Sequence, residues 1–116
     1  MRYLMNTPIL NPKGVPLLEL SEDVDDSGKV TVSKKEIYYD DVLFSVVMNK
    51  YAGDEKVSVS EKRARYALGM KIAQSGAGIS TELSVDEVSL LKRYLEKADH
   101  RILLFGRLND FLDTEE

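Results

Sequence analysis

Six residues, Leu83-Ser84-Val85-Asp86-Glu87-Val88, constrain the fold of this chain more than any other stretch, because they spell out the start of a helix. The Ser84 hydroxyl can accept from the Glu87 backbone N–H while the Glu87 carboxylate reaches back to the Ser84 N–H, and Leu83 and Val88 stand where a hydrophobic staple closes over the cap. A helix is therefore predicted from Val85 to about Ala98. Within it Val88, Leu91, Leu95 and Ala98 recur at spacings of 3, 4 and 3, the seam of a helix that packs on another helix.

The flanking sequence repeats the theme. Ser58-Val59-Ser60-Glu61 offers a second capping box, after which Ala64, Leu68 and Ile72 share one face and Tyr66, Met70 and Ala73 flank it, with Gly76 and Gly78 as stops. Before it, Asp40 or Asp41 is expected to cap a helix containing Val42, Leu43, Phe44, Val46, Val47 and Met48 and ending before Gly53. Its β-branched residues lower helix propensity, so burial must hold it helical, as a central core helix. Asp99 is expected to restart the chain into a last helix with Leu104 or Phe105, Leu108, and Phe111 or Leu112 turned inward.

The first third reads as β structure. Asn11-Pro12-Lys13-Gly14 suits a type I turn between Ile9-Leu10 and the run from Val15 to Leu20, with Pro16 confined to an edge or bulge. A second turn, Asp25-Asp26-Ser27-Gly28, precedes Lys29-Val30-Thr31-Val32, whose alternation predicts a strand with one wet face. So small a sheet is marginal alone, and its apolar face is expected to lie on the helices. The fold class predicted is α+β: an N-terminal β-hairpin or small antiparallel sheet packed on three to four helices. With 116 residues the chain supports one domain, 1–116, β-rich over 1–35 and helical over 39–112.

Composition narrows the function classes. No apolar run exceeds the four residues Ile102 to Phe105, far short of a membrane span, and Met1 to Pro8 lacks the apolar segment of a signal peptide, so a cytoplasmic location is expected. The chain has no cysteine, which excludes disulfides, thiolate metal sites and cysteine nucleophiles. The net charge of −4 disfavours nonspecific nucleic-acid binding outside a local basic patch. One such patch exists, where Lys56, Lys62, Arg63, Arg65 and Lys71 face only Glu61. Acidity gathers at Glu19, Glu22, Asp23, Asp25 and Asp26, and again at Asp110, Asp113, Glu115 and Glu116.

The order of a turn-rich β start, a short apolar helix, a helix containing Glu61-Lys62-Arg63-Ala64-Arg65-Tyr66-Ala67-Leu68, the segment Glu82 to Lys92 and a closing Gly106-Arg107-Leu108 resembles small accessory proteins of tailed bacteriophages and prophages. The resemblance covers the last two thirds of the chain. It implies a viral or mobile-element protein acting in the bacterial host cytoplasm or in the particle, and it carries no catalytic or binding residues with it. The chain departs from that pattern at Ala98-Asp99-His100-Arg101, where a small or proline-bearing connection is expected.

Candidate chemistry is sparse. His100 follows Asp99, and such a pair can serve as a base, but neither a nucleophile nor an oxyanion site accompanies it. Asp23 to Gly28 echoes the first half of a calcium loop, yet the position of the closing glutamate is Lys34. Gly76-Ala77-Gly78 follows a helix and lacks Gly-Lys-Ser/Thr, so it reads as a helix stop. Asp40-Asp41 and Asp86-Glu87 fall in first helical turns, where they complement the dipole. No catalytic residue, metal or cofactor is expected. Two classes remain. A non-enzymatic protein-binding module, with a host or viral partner or as a homo-oligomer, would use Lys62, Arg63, Arg65, Tyr66, Tyr38 and Tyr39, with Tyr51 and Tyr94 as further interface tyrosines. A nucleic-acid binder would use Lys56, Lys62, Arg63, Arg65 and Lys71, although the Gly76 to Leu83 connection is long for a helix-turn-helix. Arg63→Ala with Arg65→Ala is expected to leave folding intact under either function.

Overall fold

Two turns built alike shape the first third of the computed structural model, which describes residues 2–98, 100 and 102–114. In each, an Asx side chain accepts two backbone N–H groups, Asn11 Oδ1 from Lys13 and Val15 and Asp25 Oδ1 from Ser27 and Lys29, at 2.9–3.0 Å. A glycine then turns the chain back, Gly14 at φ +81° and Gly28 at +82°, a conformation costly for any residue bearing a Cβ.

The two turns close ladders of different length. After Gly14 the pairing stops at a single bridge between Leu10 and Pro16, since Pro16 has no N–H with which to extend a ladder. Around Gly28 it runs for seven residues a side, pairing β2 (Leu18–Val24) antiparallel with β3 (Val30–Glu36) from Leu18↔Glu36 to Val24↔Val30. The fully buried Ile9 anchors the base of this hairpin. Its carbonyl accepts from the Leu17 N–H at 2.7 Å, its own N–H donates to Ile37 at 2.8 Å, and Ile37 donates in turn to Leu17.

Beyond that base the hairpin leaves the body. Every residue of β3 is exposed, contrary to the expectation that the sheet would lie on the helices. The radius of gyration of 15.7 Å exceeds the roughly 13 Å of a compact chain this long.

A second small sheet escapes sequence reading. β1 (Arg2–Tyr3) pairs antiparallel with β4 (Thr81–Glu82), two residues against two, too short for any periodic signal. It draws Tyr3 and Met5 into the core, where the Tyr3 hydroxyl donates to the Leu112 carbonyl at 2.6 Å.

The helices carry the rest of the core. α1 (Tyr39–Met48) buries Leu43, Val46 and Val47 and packs against both α2 (Val59–Ala73) and α3 (Val85–Lys97), the central place expected of it. Its cap is Tyr38, and neither Asp40 nor Asp41 fills that role. Tyr38 is held extended by its bridge to Pro8, and the Tyr39 N–H donates to Thr7, so both aspartates fall inside the first turn. α2 begins as predicted at Ser58, which accepts the Glu61 N–H at 3.1 Å. Its buried face is Arg65, Leu68, Gly69 and Ile72, while Ala64 is exposed; a cation with partners has taken the place expected of a small apolar residue. Gly69 is buried because the Met48 side chain lies where its Cβ would be.

α3 has the complete capping box, Glu87 N–H to Ser84 Oγ at 3.1 Å and Ser84 N–H to Glu87 Oε1 at 2.9 Å, with Leu83 and Val88 buried as the staple. It buries Val88, Leu90, Leu91, Tyr94 and Leu95. α4 (Ile102–Asp113) turns Leu108 and Leu112 inward and leaves Phe105 exposed. The Asp99 restart lies outside the described residues. Among those described, no helix is long and apolar enough to cross a membrane.

Candidate interaction surfaces

Alternation along a β-ribbon assigns each side chain of the hairpin to a face. One face carries Leu18, Glu22 and Val24 with their cross-strand neighbours Glu36, Val32 and Val30, and Lys34 between Glu36 and Val32; the other carries Glu19 opposite Lys35 and Asp23 opposite Thr31. The first is therefore largely apolar. Nothing among the described residues covers it: Leu18, Val24, Val30 and Val32 are 51–67% exposed. Residues 18–36 hold six acidic and three basic residues, so this arm is both apolar on one side and net negative.

A second open face lies on α2. Spacings of three and four place Val59, Lys62, Arg63, Tyr66 and Met70 in one stripe, opposite the buried Leu68 and Ile72. Val59 and Tyr66 are more than 60% exposed. The stripe is basic, because its charged residues are Lys62 and Arg63 while the one acid of α2, Glu61, lies on the side facing α3 and does not complete its capping box. The Glu61 carboxylate instead accepts from Arg93 at 2.6 Å and from the Tyr94 hydroxyl at 2.9 Å.

Arg65, expected on the same working surface, is buried. Its Nε donates to the Val47 carbonyl at 2.9 Å and its Nη2 to the Asn49 carbonyl at 2.7 Å, at the C-terminal end of α1, while Nη1 meets Asp54 at 3.2 Å. The guanidinium also lies 4.2 Å from the centroid of the Tyr94 ring. An Arg pointed at open carbonyls where a helix ends has a structural use, satisfying acceptors that lack intrahelical partners. Asp54 in turn accepts the Tyr51 N–H, which holds its carboxyl below the ordinary value against the opposing effect of burial, with Arg65 adding to the lowering.

The remaining predicted residues scatter. Lys71 pairs with Glu87 at 2.9 Å and so belongs to the start of α3, and Lys56 ends a short 3-10 turn, Asp54–Lys56. The basic set Lys56, Lys62, Arg63, Arg65 and Lys71 thus does not form one continuous face. Among the tyrosines, Tyr39 stacks on Phe111 with centroids 4.0 Å apart, Tyr51 donates to the Val46 carbonyl at 2.6 Å, and Tyr94 is fully buried. Tyr38 stands at the root of the arm, half-buried, donating to Glu36 at 3.2 Å. Tyr66 alone of these five is exposed.

Two clefts adjoin these faces. One of about 460 Å³ lies between the arm root, α1 and α4, with Glu19, Glu36 and Asp41 on its wall, Val42 and Leu104 beside them, and His100 at its edge. The Asp99–His100 pairing lies outside the described residues. The other, about 330 Å³, opens between the end of α1 and the α2 stripe, lined by Lys50, Lys62 and Tyr66 over Arg65. At the arm tip, Asp25 Oδ1 already accepts from three donors, and among the described residues no group of three or more His, Asp or Glu is placed to hold a metal.

Of the residues named from the sequence, Lys62, Arg63 and Tyr66 share an exposed face, and the arm face was not among them. Its signal was present in Val30-Thr31-Val32, whose alternation marks an apolar side without saying what meets it. No protein-family model, curated protein or solved structure matches the chain.

Proposed function

We propose that this chain acts by protein–protein interaction rather than catalysis, as an accessory protein of a bacteriophage or prophage, either modulating a host factor or serving in particle assembly. One observation carries the interaction reading: an apolar, acidic β-arm stands off the helical body with its apolar face exposed. A two-stranded ribbon is marginal in water, and covering its apolar side removes hydrophobic surface that the isolated chain leaves wet. The bacteriophage context rests on the resemblance of the last two thirds of the chain.

The alternative of nucleic-acid binding through α2 has less support. Arg65 is committed to carbonyls and Lys71 to Glu87, which leaves Lys62 and Arg63 as the exposed charges of the stripe, and phosphate affinity scales with the number of charges neutralised.

The test is a photo-reactive phenylalanine analogue at Val32 in cells, with the same residue at the exposed Glu96 of α3 as control. A covalent protein adduct at Val32 and not at Glu96 is the expected result. Equal labelling at both sites, or none at Val32, would remove the arm as a binding surface. Gel retardation of DNA or RNA that vanishes with added salt would favour the α2 alternative.

A further inference from the structure

We infer that the arm docks on the α2 stripe of a second copy of this chain; the inference rests on the protein-binding reading and names its partner. The two faces match in three independent respects. In length, seven-residue strands span about 23 Å and the twelve residues from Val59 to Met70 that carry the stripe about 18 Å. In polarity, Leu18, Val24, Val30 and Val32 are exposed on one, and Val59, Tyr66 and Met70 on the other. In charge, the arm has six acids against three bases, with Glu22 and Glu36 against Lys34 on its apolar face, while the stripe presents Lys62 and Arg63 with Glu61 drawn away to Arg93 and Tyr94.

Charge also decides between the two ways a copy could cover the arm. Two arms packed face to face would bring net negative against net negative, which like-charge repulsion opposes. Arm on helix brings opposite signs together and lays a ribbon over a helix, an ordinary two-layer packing. The contact is heterologous, joining different surfaces on the two copies, so it closes as a reciprocal exchange of arms or a ring, or else propagates.

Charge reversal tests the inference on the full-length chain by mass in solution across a concentration series. Every altered residue is exposed, and each variant is first checked for an unchanged unfolding midpoint. Wild type is expected to associate, more weakly in higher salt. Lys62→Glu with Arg63→Glu alone, and Glu22→Lys with Asp26→Lys alone, are each expected to weaken association at least tenfold. An equimolar mixture of the two variants is expected to recover it, because each arm then meets a helix of opposite charge.

A wild type that stays monomeric at every concentration overturns the inference. So does Lys62→Glu with Arg63→Glu associating as well as wild type, which would place the contact between arms. In either case an adduct between Val32 and a different protein leaves the protein-binding reading standing; absence of both adduct and association overturns the two together.

Discussion

Arg65 shows how one side chain can be misassigned by its type. Beside Lys62 and Arg63 in sequence it reads as part of a basic face, yet helical rotation turns it inward, against the Val47 and Asn49 carbonyls and Asp54. Arg65→Ala is expected to destabilise the protein by about 3–5 kcal/mol, since it strands a carboxylate and two acceptors. Arg63→Ala, at an exposed position, is expected to change stability by less than roughly 0.5 kcal/mol. Urea unfolding of the two single variants checks this; the buried bonds of Arg65 run against the expectation that the pair could be removed without harm to folding. Titration acts at the same scale. Asp54 and Glu87 both sit below their ordinary values of 3.8 and 4.5, Asp54 through the Tyr51 N–H, and Glu87 because the Ser84 N–H and Lys71 together outweigh its burial. The folded state therefore binds fewer protons than the unfolded one, and the stabilisation is whole above the ordinary values and lost as pH falls through the depressed ones. At the alkaline end Tyr94 is raised, by burial and by its donation to Glu61, so stability is lost as pH climbs past the ordinary tyrosine range. Thermal unfolding across pH is expected to show a plateau with both shoulders, the acid one reduced in Glu87→Gln.

At the scale of elements, helix starts are the most legible feature. Ser84 and Ser58 cap α3 and α2 where their boxes predict, because a cap is a local bond between residues three apart. The start of α1 escapes local reading because its cap depends on Pro8 holding Tyr38 extended, a contact between distant residues. The α3 seam faces the core as its spacing implies, with Leu91 and Leu95 fully buried. Leu91→Ala or Leu95→Ala is expected to cost about 2–5 kcal/mol, and Ser84→Ala about 1 kcal/mol, in denaturant unfolding. The second half of the Ser58 box is the instructive failure. Glu61 has a choice between the cap N–H and two partners on α3, and α3 takes it.

For the whole molecule the division is between a closed body and an open arm. Tyr3 bonded to Leu112 joins the first and last elements of the body, whereas the arm is attached at its base through Ile9, Leu17 and Ile37. Replacing residues 18–36 by a short turn between Leu17 and Ile37 is expected to leave the helical body folded with an unfolding midpoint changed by only a few degrees, since the exposed strand β3 contributes little buried surface. Circular dichroism and thermal unfolding of the deletion check this. The same deletion is expected to abolish self-association.

By itself the sequence determined the fold class, the two Asx-glycine turns, the caps of α2 and α3 and the apolar seam of α3, since each is encoded within a few consecutive residues. The tertiary structure decided which apolar faces are covered. The α3 seam is buried and the arm face is not, although both were legible as apolar, because burial depends on what another part of the chain brings to the face. It also decided the fates of Arg65 and Glu61, whose charges pair with groups 11 to 33 residues away, beyond the reach of local pattern.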